Sequence, residues 1–291
     1  MVTDPRQLLP ETGKNSITGL LPTKDTFTEK LSVLICKDSF FYLRQDRIDR
    51  IITYHKELQL PSKTSLLDKL QNLWDEEHIT QHGGDLNIKM ALLTNQFALV
   101  PVTMYEEPFK HLYYERLNFF PSYQALWVDS MATRDFSKVV FGIEKLIAKS
   151  CAAVVEPGQY IHIISGLIKK FYQDYGHLEG KFMLSYVRGG YECILLFNDG
   201  KLLFSNVFEV FSDDDILYYL AMIINQLEID PFTVDLYLAG DWYASTPRHQ
   251  WLGKKFKSVR FAQSKSHLFN RSAEKKQLKT YELFDLVSIW A

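Results

Sequence analysis

Residues 182–208 read FMLSYVRGGYECILLFNDGKLLFSNVF. Three apolar runs are separated by Arg188-Gly189-Gly190 and by Asn198-Asp199-Gly200. Gly-Gly and Asp-Gly are the pairs that two-residue hairpin turns favour, because both central positions need positive φ. The stretch therefore predicts a three-stranded antiparallel meander, and what lies on either side decides the fold.

Towards the C-terminus, DDDILYYLAMIINQLEI (213–229) predicts a helix with Ser212 as its N-cap. The acidic triplet Asp213, Asp214 and Asp215 sits where the helix dipole favours negative charge. VDLYLAG then reads as a buried strand ending at Gly240. Beyond it come KSVRFAQ, a polar basic loop and a last apolar segment, YELFDLVSIWA.

The N-terminal half has the same plan. KLSVLICKDSFFYLRQ (30–45) reads as strand, turn and strand. SKTSLLDKLQNLWDEEHI places Leu66, Leu67, Leu70, Leu73 and Trp74 on one helical stripe, with Ser62 or Thr64 as cap. IKMALLT and FALVPV follow as strands about a turn at Asn95-Gln96, then a helical EPFKHLYYERL. YQALWVDS, KVVFGI and AAVVEP read as strands, EKLIAKSC as a short helix, and YIHIISGLIKKFYQDYG as a helix stopped by Gly176. A hinge is expected at YGHLEGK (175–181). Short turns between the opening strands favour mixed sheets in two related lobes over a doubly wound parallel sheet.

The chain has 291 residues, 46% hydrophobic and 23% charged, with a formal net charge of −2. That is an ordinary globular composition with no global attraction to nucleic acid or anionic membrane. Cys36, Cys151 and Cys193 are far apart and sit in apolar runs, as buried thiols of a reducing compartment do. The segment MVTDPRQLLPETGKNS lacks the apolar core of a signal peptide, and no apolar run approaches the ~20 residues that span a bilayer. A cytoplasmic protein with a flexible N-terminal tail is expected.

The runs KLLFSNVFEVFSDDDILYYLAMIINQLEIDPFTVDLYLAGD, FALVPVTMYEE with HLYYERLNF, and VVEPGQYIHIISGLIKKF resemble an uncharacterised Bacteroidota family with an actin-like ATPase fold. That family is distantly similar to type IV pilus assembly protein M and type II secretion protein L. The resemblance implies a two-lobed α/β protein, a duplicated ribonuclease H-like fold of mixed sheets with helices. Residues 1–27 would be the tail, 28–176 the first lobe and 177–291 the second.

Active members of the actin-like class hold phosphates and metal with an acidic, glycine-containing turn from each lobe, and admit the nucleoside at a later Gly-Gly. The physical need is for unobstructed backbone donors and a carboxylate-held cation. In SVLICKDSFFYL the acid's position falls on Ile35 or Cys36, Asp38 comes late, and the turn has no glycine. In the second lobe Tyr186 takes the acid's place and Arg188 that of the first glycine, while Gly189 and Gly190 are kept. LYLAGDWYAS keeps Gly240 but continues with Asp241 and Trp242. The five candidate cleft residues are Arg188, Gly189, Gly190, Gly240 and Asp241. As ligand groups they offer an arginine for an anion and close backbone approach, without a carboxylate for Mg²⁺. No cofactor, metal or catalytic residue is expected, and a nucleotide remains the alternative ligand.

His78 and His82, beside Glu76, Glu77 and Asp85, have zinc-compatible spacing, but Gly83-Gly84 already end that helix. His162 reads as a hydrogen-bonded, partly buried histidine inside a helix. Between Arg248 and Lys279 ten cations face one acid, Glu274, interleaved with Trp251, Phe256, Phe261 and Phe269. Single-stranded nucleic acid would use such a mixture; so would an acidic protein partner, and a solvated basic loop has the same composition. Tyr113, Tyr114, Phe119, Phe120 and Tyr123 could line a contact surface or fill a core. The functional expectation is a non-catalytic protein-interaction or assembly module with an unknown protein partner. A nucleotide- or phosphoryl-ligand protein using the interlobe cleft, and a nucleic-acid-associated protein using the 248–279 segment, are the alternatives.

Overall fold

The computed structural model describes residues 29–37, 39–46, 51–59, 66–76, 86–122, 124–131, 137–153, 155, 159–242, 247–264, 269–270 and 279–291. The expected tail, the caps Ser62 and Thr64, Asp38, the His78–Asp85 cluster, Tyr123 and the 265–268 and 271–278 parts of the basic segment lie outside these residues.

The first half opens with β1 (Glu29–Ile35), β2 (Ser39–Asp46) and β3 (Ile51–Gln59), followed by α1 (Leu66–Glu76) and β4 (Leu86–Leu92). A second layer follows: β5 (Phe97–Pro101), α2 (Lys110–Glu115), β6 (Gln124–Met131), β7 (Ser137–Glu144) and α3 (Lys145–Ala152). β8 (Tyr160–His162) and α4 (Ile163–Tyr175) complete this half. The second half contains β9 (Lys181–Arg188), β10 (Tyr191–Asn198), β11 (Lys201–Glu209), α5 (Asp213–Gln226) and β12 (Val234–Gly240). It ends with α6 (Pro247–Gly253), β13 (Ser258–Phe261), β14 (Phe269–Asn270) and α7 (Phe284–Ser288).

One sheet runs β14-β3-β2-β1-β4-β8 and another β11-β10-β9-β12-β13. With β14 set aside, the two orders are the same: a three-stranded meander, then two strands added parallel on its first strand. The duplication is therefore carried by topology. Between β4 and β8 the first half inserts a separate antiparallel sheet, β5-β7-β6. FALVPV thus pairs with β7 rather than folding back on IKMALLT.

Three local expectations need correction. The sequence reading placed no strand at 51–59, yet β3 pairs along β2 and extends the first meander to three strands. AAVVEP is not a strand in its described residues: α3 runs through Ala152 with Ala153 as its C-cap. The fifth strand is instead Tyr160–His162, the start of the expected long helix, because pairing with Met90–Leu92 uses those three residues before α4 begins. Gly176 stops α4 as its C-cap, in right-handed conformation at φ −65°.

In the second half local chemistry and structure agree. Gly189 and Gly190 have φ of 53° and 76°, and Asp199 and Gly200 have 47° and 71°, so both turns are of type I′. Ser212 caps α5, and Asp215 closes the reciprocal capping box.

The largest apolar cluster is shared by both halves. Leu34, Phe41 and Ala91 from the first meet Tyr186, Tyr191 and Cys193 from the second, with Ile164 and Phe171 of α4 and Phe284 and Leu286 of α7. α4 and α7 approach closely, since a Cβ on Gly166 would stand 2.8 Å from the Ser288 carbonyl oxygen. Trp290 then donates its indole N–H to Ser32 Oγ of β1 at 2.8 Å. Much of the ground between the lobes is packed core.

Candidate functional site

Strand alternation sends Tyr186 and Arg188 of β9 to different faces from Val187, and the hairpin turn carries Arg188 to the boundary between the lobes. There it is buried. Its Nε donates to Asp285 Oδ2 at 2.9 Å and its Nη1 to Asp241 Oδ1 at 2.7 Å, while Nη2 donates to the Glu282 carbonyl. The guanidinium lies 4.6 Å from the ring centroid of Phe41, across the lobe boundary. Tyr186 donates its hydroxyl to the same Asp285 Oδ2 at 2.8 Å. Burial works to lower the Arg188 pKa, and Asp285 foremost outweighs it with Asp241 in support, so the value stands above normal. Burial, then Asp285, push the Tyr186 phenol well up. Arg188 and Asp241 are thus brought together as a structural ion pair, and the group that binds both Arg188 and Tyr186, Asp285, was absent from the sequence expectation. Its one signal was an acid inside the apolar run YELFDLVSIWA.

The two turns that would flank a phosphate touch each other. A Cβ built on Gly189 would lie 2.8 Å from Cys36 Cβ and 3.1 Å from Ser39 Oγ. Cys36 is buried, and burial first of all raises its thiol pKa against the lowering effect of Arg188, so no thiolate is poised there. Gly240, at φ 79°, is needed for close packing: a side chain would run into the Val187 carbonyl oxygen. Its N–H donates to Tyr281 O at 2.9 Å, and the Asp241 N–H to Val187 O at 2.8 Å. Trp242, where a nucleoside would need space, is fully buried beneath α5 and α6 with the Arg248 guanidinium 4.4 Å from its ring.

A cavity of about 380 Å³ lies beside this contact. Cys36, Lys37 and Gln96 line it from the first lobe, Gln124 and Glu144 from the inserted sheet, and Tyr191 and Glu209 from the second half. None of Arg188, Gly189, Gly190, Gly240 or Asp241 lines it. An ion pair between Lys37 and Glu209 joins the two halves here. Among the described residues no group of three His, Cys, Asp or Glu side chains is arranged to hold a metal ion.

His162 is fully buried and serves as the N-cap of α4, accepting from Ile164 N at Nδ1 while Nε2 meets Thr94 O at 3.0 Å. Burial lowers its pKa to about 4, which keeps the ring neutral. It is a structural histidine at a helix start rather than inside one.

The basic segment is partly spent on the fold. Arg248 is buried and pairs with Asp213 at 2.8 Å, Lys257 with Asp235 at 2.9 Å, and Phe256 is core. Lys254, Lys255 and Arg260 are exposed, and Lys255 stands over Trp251.

The aromatic run beside the inserted sheet divides. Tyr114 is buried, whereas Phe119 is 80% exposed. Between β5 and α2 lies an apolar groove of about 630 Å³, lined by Leu99, Val100, Met104, Phe109, Leu112 and Leu117 among others. Met104, Phe109, Leu112 and Leu117 are all exposed. Of the aromatic run, Tyr113 lines the groove, and the helical spacing of Phe109, Leu112 and Arg116 around it was the available signal.

Among the described residues no helix is long and apolar enough to cross a membrane. No curated protein matches the chain. A solved Bacteroides thetaiotaomicron protein described as having an actin-like ATPase fold and unknown function is 20% identical, with a TM-score of 0.72 over 84% of this chain and 94% of that one. PilM, solved in the PilM–PilN type IV pilus biogenesis complex, is 10% identical with a TM-score of 0.62, covering 89% of this chain and 97% of its own. The cytoplasmic domain of EpsL from the Vibrio cholerae type II secretion system is 11% identical with a TM-score of 0.41, over 72% of this chain and 80% of that one. The fold is the two-lobed actin-like ATPase fold. Residues 21–250 match the family described as Protein of unknown function (DUF3822), and the chain belongs to that family.

Proposed function

We propose that this protein is a non-catalytic interaction or assembly module, which keeps the actin-like scaffold and has closed its phosphate site. The observation that carries this reading is the contact between the two turns, Gly189 against Cys36, beside an Arg188 already neutralised by Asp285 and Asp241. A triphosphate needs open backbone donors and a carboxylate-held cation between those turns. Here the space holds side chains and the carboxylates hold an arginine. The apolar groove between β5 and α2 supplies a surface suited to a protein partner, because four of its large side chains are exposed. PilM, with the same fold, is solved bound to another protein, PilN.

The test has two arms. Differential scanning fluorimetry with Mg-ATP, Mg-GTP and ADP is expected to leave Tm unchanged. A true nucleotide site would add about 2.7 kcal/mol at ligand 100-fold above Kd, and such a shift would overturn the reading. In the second arm the wild-type protein and Met104→Glu and Leu112→Lys variants are used as bait in native lysate. A partner retained by wild type and lost from both groove variants is expected; equal recovery by all three would move the interaction off the groove.

A further inference from the structure

The two equivalent sheet edges are treated differently. In the first lobe the outer strand β3 is covered by β14, with Phe269 against Ile51 and Asn270 against Ile52. In the second lobe the corresponding outer strand, β11, ends its sheet with no covering strand among the described residues. Open edges normally carry proline, inward charge, a bulge or brevity as protection. β11 is nine residues long, and between its terminal Lys201 and Glu209 it has no charge, proline or glycine. A bulge opposite Phe197 leaves Leu203 unpaired near one end.

The ladder fixes which backbone groups are free. Val210 donates to Gly190 O at 2.8 Å, so with the register Phe208↔Glu192, Asn206↔Ile194 and Phe204↔Leu196 these residues face β10. Alternation turns Ser205 and Val207 outward, and the Val207 N–H is held by Asn206 Oδ1 at 2.9 Å, which leaves Ser205 as the central open position.

We infer that β11 is the interface of a two-fold homodimer, in which the β11 strands of two copies pair antiparallel about Ser205. A symmetric interface must be complementary to its own reverse, and this strand is. Reversal about Ser205 sets Lys201 against the other copy's Glu209, so the only charges of the strand meet with opposite sign at both ends. Glu209, already joined to Lys37 within the chain, becomes the shared acid of two lysines. Ser205 exchanges main-chain hydrogen bonds with its own symmetry mate, and the bulged Leu203 falls opposite Val207, whose N–H would exchange Asn206 Oδ1 for the other copy. Phe204 and Phe208 lie along the same edge, with Tyr219 stacked on Phe208 at 4.3 Å and Tyr218 beside it at 5.4 Å. Leu203 is 56% exposed, Tyr218 63% and Phe211, just past the strand, 83%. These side chains give the paired edge an apolar flank. The pairing is independent of the state of the interlobe cleft.

Sedimentation velocity over rising protein concentration tests it. The wild-type protein is expected to double in mass. Ser205→Pro removes an outward N–H without touching the β10 ladder, and is expected to stay monomeric with an unchanged circular dichroism spectrum. Lys201→Glu sets two glutamates together at each end and is also expected to be monomeric; it decides the matter should Ser205→Pro fail to fold. A wild type that remains monomeric at the highest soluble concentration overturns the inference. So does a dimer that survives either folded variant.

Discussion

Replacing Gly189 with alanine measures the closure of the cleft directly. Gly189 sits at φ 53°, and left-handed backbone costs an L-residue about 1–2 kcal/mol. The new Cβ would stand 2.8 Å from Cys36 Cβ and 2.9 Å from its Sγ. Cys36 has little room to retreat, being buried with its N–H bonded to Ser39 O at 2.9 Å. Forcing a methyl group into such a contact costs a further 1–3 kcal/mol or so. Gly190 is the internal control. Its φ is 76°, but a Cβ there has only Val210 O within reach, at 3.9 Å. Gly190→Ala should therefore lose the backbone contribution alone. Urea unfolding of the two variants, compared at equal m-values, is expected to place Gly189→Ala below Gly190→Ala by about 1–3 kcal/mol. Losses equal to within about 0.5 kcal/mol would mean that the turns stand apart in solution, and the closed-cleft reasoning would fail. A difference of the opposite sign would refute it outright.

Arg188→Met strips Asp285 of its counter-charge in a fully buried site, and such uncompensated charges cost about 3–5 kcal/mol; a loss under about 1 kcal/mol by urea unfolding would show that the pair is solvated. His162 gives a pH signature. Its folded pKa is lowered from 6.5 to about 4, so as pH falls through that window the unfolded chain takes up a proton that the folded one refuses. Stability present above pH ~6.5 should fall by up to about 3 kcal/mol towards pH 4, and His162→Gln should flatten that part of the wild-type pH profile; identical slopes would discount the buried imidazole. Ser212→Ala removes one side of the α5 capping box and should cost about 1 kcal/mol, read as a drop in the urea midpoint; no drop would mean that the cap is not made.

What the sequence disclosed follows the range of the interactions involved. The second meander was legible because Gly189-Gly190 and Asp199-Gly200 dictate their turns from within two residues, and Ser212 and Asp215 cap α5 from within four. β3 was missed because IITYHKELQ mixes charge and apolar residues without clean alternation; β2 on one side and two residues of β14 on the other recruit it. Tyr160–His162 was read as helix because a run of three residues satisfies either period, and the deciding partner, Met90–Leu92, lies far upstream. FALVPV shows the same limit, its partner β7 being separated by the whole of α2 and β6.

The site obeys the same rule with a sharper consequence. Sequence alone brought Arg188 and Asp241 to one cleft, and the structure joins them at 2.7 Å. It could not say for whom the arginine's charge is meant. An anion-binding arginine has to be left unneutralised by its own protein, so that a phosphate supplies the second half of the pair. Asp285, 97 positions away, takes that half here, with Tyr186 on the same oxygen. One guanidinium then faces two carboxylates, and the formal balance of the cluster is −1. A phosphate entering from the first lobe would meet net negative charge and a turn already in contact with Cys36. The residue that most suggested a ligand is spent on carboxylates of its own half, with the Phe41 ring as its contact across the lobe boundary.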